Sequence, residues 1–325
     1  MTVNRPVAWL ILLMLTGCTA QRTHDTPAAV SHEPASVQAV SLLGDTLGPP
    51  VLDSAVRSAR DAALAQTRDA YERQPGDPDS IIWYGRRLAY RGNYQGAIDV
   101  YSWGIERHPT DARLFRHRGH RYITIRELDK ALEDLLRATQ LTRDTPDLVE
   151  PDGLPNARGT PTSTLKTNIW YHLGLAHYLR GDFARAASAY RECLRYATNP
   201  DMDIAARYWL NVTLRRLGAY ADAADLLLPV TSELDIIENH AYHHLLLAYK
   251  GVLEADSLLG VARTGDALAG ATLGYGIANW RLTSGDTAGA VALLQEIRGG
   301  PEWPAFGFIA AEADLHRLAS AGGGP

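Results

Sequence analysis

A small turn residue followed by an apolar stripe spaced by alanines returns along this chain at a nearly constant interval. Gly92, Gly181, Gly218, Gly251 and Gly285 mark it, and from Gly181 onward the steps are 37, 33 and 34 residues. Thirty-four residues after Gly92 stands Arg126, where Leu128, Ala131, Leu135 and Ala138 keep the stripe without the glycine. Such an interval holds two helices and a turn. Glycine, lacking a side chain, permits the turn. Tyr94, Leu128, Phe183, Tyr220 and Leu253 open the second helix of each unit, and Ala97, Ala131, Ala186, Ala223 and Ala290 are small where helices must cross. Pro75 and Pro109 end helices, because proline has no amide to continue one. A lone helical hairpin cannot bury its apolar face, so the units must stack. The chain is therefore expected to be all-α.

In the segment Trp170 to Pro200, Trp170, Leu173, Gly174, Ala186 and Tyr190 fall at the spacing W-x2-L-G…A-x3-Y. This resembles the tetratricopeptide repeat. The resemblance implies a right-handed superhelical solenoid of antiparallel helix pairs with terminal capping helices. Repeats are expected at 78–111, 112–145, 167–200, 201–236, 237–269 and 270–300, the fifth degenerate because Asp256 stands where alanine is expected. Residues 51–77 read as an N-terminal capping half-repeat, and 301–319 as a C-terminal capping helix with Trp303 and Pro304 at its start; a flexible tail, 320–325, follows. In this family the first helices line a concave groove that receives a peptide or partner protein. The resemblance places Arg86, Tyr90, Arg116, His120, Tyr171, Tyr178, Tyr208 and Arg215 there, residue types that often anchor partners; the alternative is that the tyrosines pack against each other and the insert. The Lys and Asn pair with which some members grip a C-terminal carboxylate is missing at the matching positions.

The 325 residues are 46% hydrophobic with a formal charge of −5, which suits one long solenoid and offers no electrostatic footprint for nucleic acid. No nucleophile elbow, phosphate-cradling glycine loop or Cys-x2-Cys pair occurs. Gly274-Tyr275-Gly276 lacks a third glycine and lies in a helical pattern. No nucleotide, cofactor or enzymatic activity is expected.

The N-terminus reads as an address. Arg5 precedes a short apolar run, Val7 to Leu15, and then Leu15-Thr16-Gly17-Cys18. The run is too short to span a bilayer as a helix. The four residues resemble the bacterial lipobox, which implies a signal peptide over 1–17, cleavage before Cys18 and acylation of that cysteine. More than one acyl chain gives stable attachment, at roughly 0.8 kcal/mol per buried methylene. Thr19 after the cysteine implies, by the same resemblance, the outer membrane facing the periplasm if the source has two membranes. Residues 18–50, rich in Ala, Pro, Ser and Thr, read as a disordered tether. Cys193, the other cysteine, falls on a small buried position of a second helix and reads as core.

Between the second and third repeats the interval breaks. Residues 146–166 form an insert whose Pro146, Pro151, Pro155, Pro161, Gly153 and Gly159 exclude a regular helix. It is either an ordered loop on the concave face or rim, or a solvated insertion. Two histidine groups stand out. His240, His243 and His244 share a helical segment, and His240 with His244 could hold a divalent metal, so a metal-binding envelope protein is the rival reading. No glutamate stands between them as a general base. His108, His117 and His120 lie among Arg116, Arg118 and Arg121 and read as a cationic patch or a solvated face. A third reading is a structural envelope component that self-associates.

Overall fold

The computed structural model describes residues 1–2, 31 and 33–322. Fourteen helices occur among the described residues: α1 Ser54–Arg73, α2 Pro78–Tyr90, α3 Tyr94–Arg107, α4 Ala112–Thr124, α5 Leu128–Thr142, α6 Leu165–Arg180, α7 Phe183–Tyr196, α8 Pro200–Arg216, α9 Tyr220–Asp225, α10 His240–Tyr249, α11 Ala255–Thr264, α12 Ala267–Thr283, α13 Thr287–Arg298 and α14 Phe306–Gly322. They pair into six hairpins, α2/α3 through α12/α13, between α1 and α14. The fold is an all-α solenoid of helical hairpins.

Local chemistry fixes the helix starts. Asp53, Asp77, Thr164, Asn199 and Asp266 each accept a hydrogen bond from a backbone amide of the first turn. Such caps contribute about 1 kcal/mol each. Pro78 and Pro200 stand in the first turns of α2 and α8, where the missing amide costs nothing. Pro229 follows the short α9, so the fourth unit has a truncated second helix.

Within a hairpin the first helix carries a glycine where a large side chain of the second helix lies across it. A methyl on Gly85 would meet the Tyr101 ring at 2.4 Å, one on Gly119 the Leu135 side chain at 2.9 Å, and one on Gly174 the Tyr190 ring at 2.8 Å. Cys193 is wholly buried, with Sγ 3.4 Å from the Thr167 carbonyl, and burial pushes its thiol far above the usual range.

The solenoid closes on itself. α14 packs on α12 and α13 as the next first helix would, and its other side reaches α6. Trp303, Ala305 and Phe308 share one apolar cluster with Ile81, Leu88 and Tyr101 of the first repeat. Glu312 pairs with Arg126, Asp314 with Arg216, and Arg317 donates to the Leu179 carbonyl at 2.8 Å. Trp303 and Pro304 precede the helix rather than begin it, and residues 320–322, expected in a flexible tail, are its last turn.

The stretch 33–50, expected as part of a free tether, is packed. Strands β1 Ala39–Val40 and β2 Thr46–Leu47 pair antiparallel, Ala39 opposite Leu47. Gln38 is wholly buried; its Oε1 accepts from the Tyr94 amide at 2.7 Å, and the Gly48 carbonyl accepts from Trp303 Nε1 at 3.0 Å. The hairpin thus bridges the first repeat and the C-terminal segment. Composition misses this because backbone carbonyls and one glutamine make most of the contacts. Residues 3–30, including Cys18, lie outside the described residues.

Candidate functional site

The concave side is largely filled by its own side chains. Tyr178 and Tyr275 hydroxyls, on the third and sixth repeats, lie 2.5 Å apart, and Asn279 Nδ2 donates to the Tyr178 hydroxyl at 2.9 Å. Trp209 Nε1 donates to the Tyr171 hydroxyl at 2.8 Å, which sits 3.2 Å from that of Tyr242. Tyr208 stacks on Tyr242 with ring centroids 4.6 Å apart. Tyr171, Tyr178 and Tyr208 are buried. They are core residues and not groove surface, which corrects the sequence assignment. Large aromatics facing one another gain more from mutual burial than an open groove would keep. Arg215 lies over the Trp280 and Tyr249 rings, at 4.3 and 5.0 Å, and its Nε donates to Asn211. It braces α8 to its neighbours.

Arg86, Tyr90, Arg116 and His120 have a different fate. They meet where α2 and α4 face the insert. The insert is ordered there. Val149 and Thr164 form an antiparallel bridge, Arg86 donates to the Pro151 carbonyl and Arg87 to the Gly153 carbonyl, both at 2.8 Å. Gly153 lies so close to Tyr90 that a methyl group would fall 1.8 Å from its hydroxyl. At its far end Arg158 makes a two-point pair with Asp235 at 2.7 Å, and the Thr162 carbonyl accepts from Asn199 at 2.8 Å. The insert is a strap from the first repeat to the segment before α10.

Two cavities that share Arg86 and His117 adjoin here, one of them walled in part by the strap. The outer, about 320 Å³, has apolar walls from Ile82, Trp83, Leu148, Val149 and Pro151. The inner, about 90 Å³, is lined by Arg86, Tyr90, Tyr101, Arg116, His120 and Arg121. His117 borders both. Glu150, supplied by the strap, sits 3.0 Å from Arg116 and also accepts from Asn168 at 3.1 Å. Arg116 is 7% exposed, and its Nε has no hydrogen-bond partner. Arg121 lies 5.7 Å from the Tyr94 ring centroid; among the described residues no acceptor or carboxylate pairs with it. Burial pushes both guanidiniums below their usual range, Arg116 despite the attraction of Glu150. Burial would also lower Arg86, but Tyr90 and Glu150 outweigh it and raise it. Burial first, then the surrounding arginines, holds His117 and His120 well below the usual histidine range, so both are neutral at pH 7.

Of the cationic patch read from sequence, Arg116, His117, His120 and Arg121 converge here. Arg118 instead pairs with Asp134 at 2.7 Å, and His108 hydrogen-bonds the Gly76 carbonyl at 2.8 Å. Glu150 was not legible as a site residue, since no periodicity aligns an insert with a helix; Trp83 and Tyr101, on α2 and α3, were passed over as ordinary repeat residues. His240 and His244 have ring centroids 6.5 Å apart, and the buried His243 spends Nε2 on the Thr231 carbonyl at 2.8 Å. Among the described residues no group of three or more His, Cys, Asp or Glu is arranged to hold a metal ion. Among them also, no helix is long and apolar enough to cross a membrane.

Residues 167–200 match the sequence profile of the tetratricopeptide repeat. No curated protein sequence matches the chain. Among solved structures, MamA is similar at 17% identity over 54% of this chain and 91% of its own, with a TM-score of 0.40. YrrB, described as a TPR protein with an unusual peptide-binding site, is similar at 13% identity over 80% and 100%, TM-score 0.42. A tetratricopeptide repeat protein from Parabacteroides merdae ATCC 43184 is similar at 14% identity over 82% and 95%, TM-score 0.47.

Proposed function

We propose that this protein is an interaction module of a bacterial envelope that takes a peptide or partner-protein segment in the strapped cleft between α2 and α4. The observation that carries the reading is the pairing of an apolar outer cavity with a cationic inner one, the two sharing Arg86 and His117. Apolar walls supply affinity, and fixed charges at the end orient what enters. The repeat at 167–200 supports an interaction role over an enzymatic one.

The lipobox-like sequence ending at Cys18 supports attachment by lipid at the N-terminus. The acyl chains would anchor the protein, and residues 19–32 would link it to the clasp formed by the strands. The proposed location is the outer membrane facing the periplasm in a two-membrane source. Labelled palmitate incorporated by wild type and lost in Cys18→Ala tests the anchor.

Cross-linking in the native cell tests the partner site, comparing wild type with Trp83→Ala plus Leu148→Asp. Both side chains line the outer cavity, and Leu148 is 55% exposed, so neither change should unfold the array. A dominant cross-linked protein that vanishes in the double variant supports the cleft. One that persists unchanged rules the cleft out.

A further inference from the structure

Within the cleft, which rests on the reading above, we propose that the inner cavity binds a compact oxyanionic group, a carboxylate or a phosphate, held by Arg121, Arg86 and Arg116. Three guanidiniums line one cavity of about 90 Å³, and Glu150 pairs with one of them, Arg116. Glu150 is already divided between Arg116 and Asn168. Buried charges are ordinarily paired, because an unpaired one forfeits its hydration. Among the described residues the half-buried Arg121 meets an aromatic face but no acceptor, and the buried Arg116 leaves Nε unused. A fork of N–H donors with no oxygen in front of it matches a two-oxygen or three-oxygen acceptor.

The neighbours favour an anion further. His117 Nδ1 lies 3.0 Å from Arg116 Nη1, so the neutral ring accepts there and carries its proton on Nε2. His120 makes ring contacts with His172 and Phe306 and brings no negative charge. Tyr90 meets Arg86 through its hydroxyl at 3.5 Å. A cavity of this size holds a few waters, each occupying about 30 Å³ of liquid, or one small polyatomic anion. The anion has two possible sources, a free inorganic ion or an acidic side chain of whatever segment lies in the outer cavity.

The test uses the full-length protein in neutral detergent and follows its melting temperature. Inorganic phosphate and a glutamate-rich hexapeptide are each titrated against chloride at matched ionic strength. If the source is a free ion, phosphate raises the melting temperature saturably; if it is a partner side chain, the peptide does so and phosphate does not. In either case Arg121→Gln weakens the apparent affinity about tenfold or more. Arg121→Lys, which keeps the charge without the fork, retains part of the effect. In chloride alone, Arg121→Gln melts no lower than wild type, because it removes an unpaired charge. The proposal is overturned if neither probe exceeds chloride, if Arg121→Gln binds as wild type does, or if that variant melts lower in chloride. None of these outcomes touches the outer-cavity cross-linking, so the two readings fail separately.

Discussion

The guanidinium of Arg126 and the carboxylate of Glu312, 186 residues apart, form a two-point pair, Nε to Oε2 at 2.9 Å and Nη2 to Oε1 at 2.8 Å. Their side chains are 3% and 1% exposed. Arg126 also donates to the Trp303 carbonyl at 2.9 Å. It occupies the turn position that glycine holds in the other repeats, and it takes the same left-handed backbone, φ 69° beside 84° at Gly92 and 83° at Gly181. The backbone cost of a side chain there is offset by a contact that closes the solenoid.

Replacing Arg126 by glycine therefore separates the two effects. The turn gains about 1 kcal/mol from relief of the left-handed conformation. Stranding the Glu312 charge costs about 3–5 kcal/mol. Arg126→Gly should lose about 2–4 kcal/mol in urea unfolding, and adding Glu312→Gln should restore part of it. Equal stability of Arg126→Gly and wild type would mean the pair does not hold the ring closed.

Two glycines should respond in opposite directions to alanine. At Gly174 the added methyl meets the wholly buried Tyr190 ring at 2.8 Å, and overpacking should cost about 1–3 kcal/mol. At Gly260, inside α11, no neighbouring atom lies within 4 Å, so alanine should stabilise by about 0.5–1 kcal/mol. Thermal melts of the two variants compare them directly. A stabilising Gly174→Ala would contradict the close crossing of α6 and α7.

Acid should loosen the cleft. Burial holds His117, His120 and His172 neutral, well below the ordinary histidine pKa of 6.5. Their folded values lie below their unfolded ones, so the unfolded chain binds more protons between the two. The stability they contribute is complete above pH 6.5 and falls as pH drops below it, by at most about 1.4 kcal/mol per pH unit for each histidine. Unfolding midpoints at pH 7.5 and 5.5 measure this, and His172→Gln should flatten the slope. A midpoint that rises on acidification would refute the assignment.

The strap has its own test. A side chain at Gly153 would drive into the Tyr90 hydroxyl, so Gly153→Val should detach the insert from α2. Limited proteolysis should then nick Pro155–Thr164 several times faster than in wild type, while the helical melt moves little because the strap contributes little apolar burial. Equal nicking rates would argue that the Arg86 and Arg87 contacts do not hold it.

The sequence by itself determined the repeat. Periodicity, the small residues at Gly174 and Ala186 and the aspartate and asparagine caps are local, and local geometry is enough to make hairpins that must stack. Of the residues assigned to the groove, Arg86, Tyr90, Arg116 and His120 line one cavity. Tertiary structure alone decided the rest. How far a solenoid curls is the sum of small rotations between units, and no spacing encodes that sum. Tyr178 reads as groove lining until Tyr275, 97 residues on, arrives against it and turns surface into core. Likewise Glu150 belongs to a segment without period, and only the closed shape brings its carboxylate to Arg116 and, among the described residues, none to Arg121.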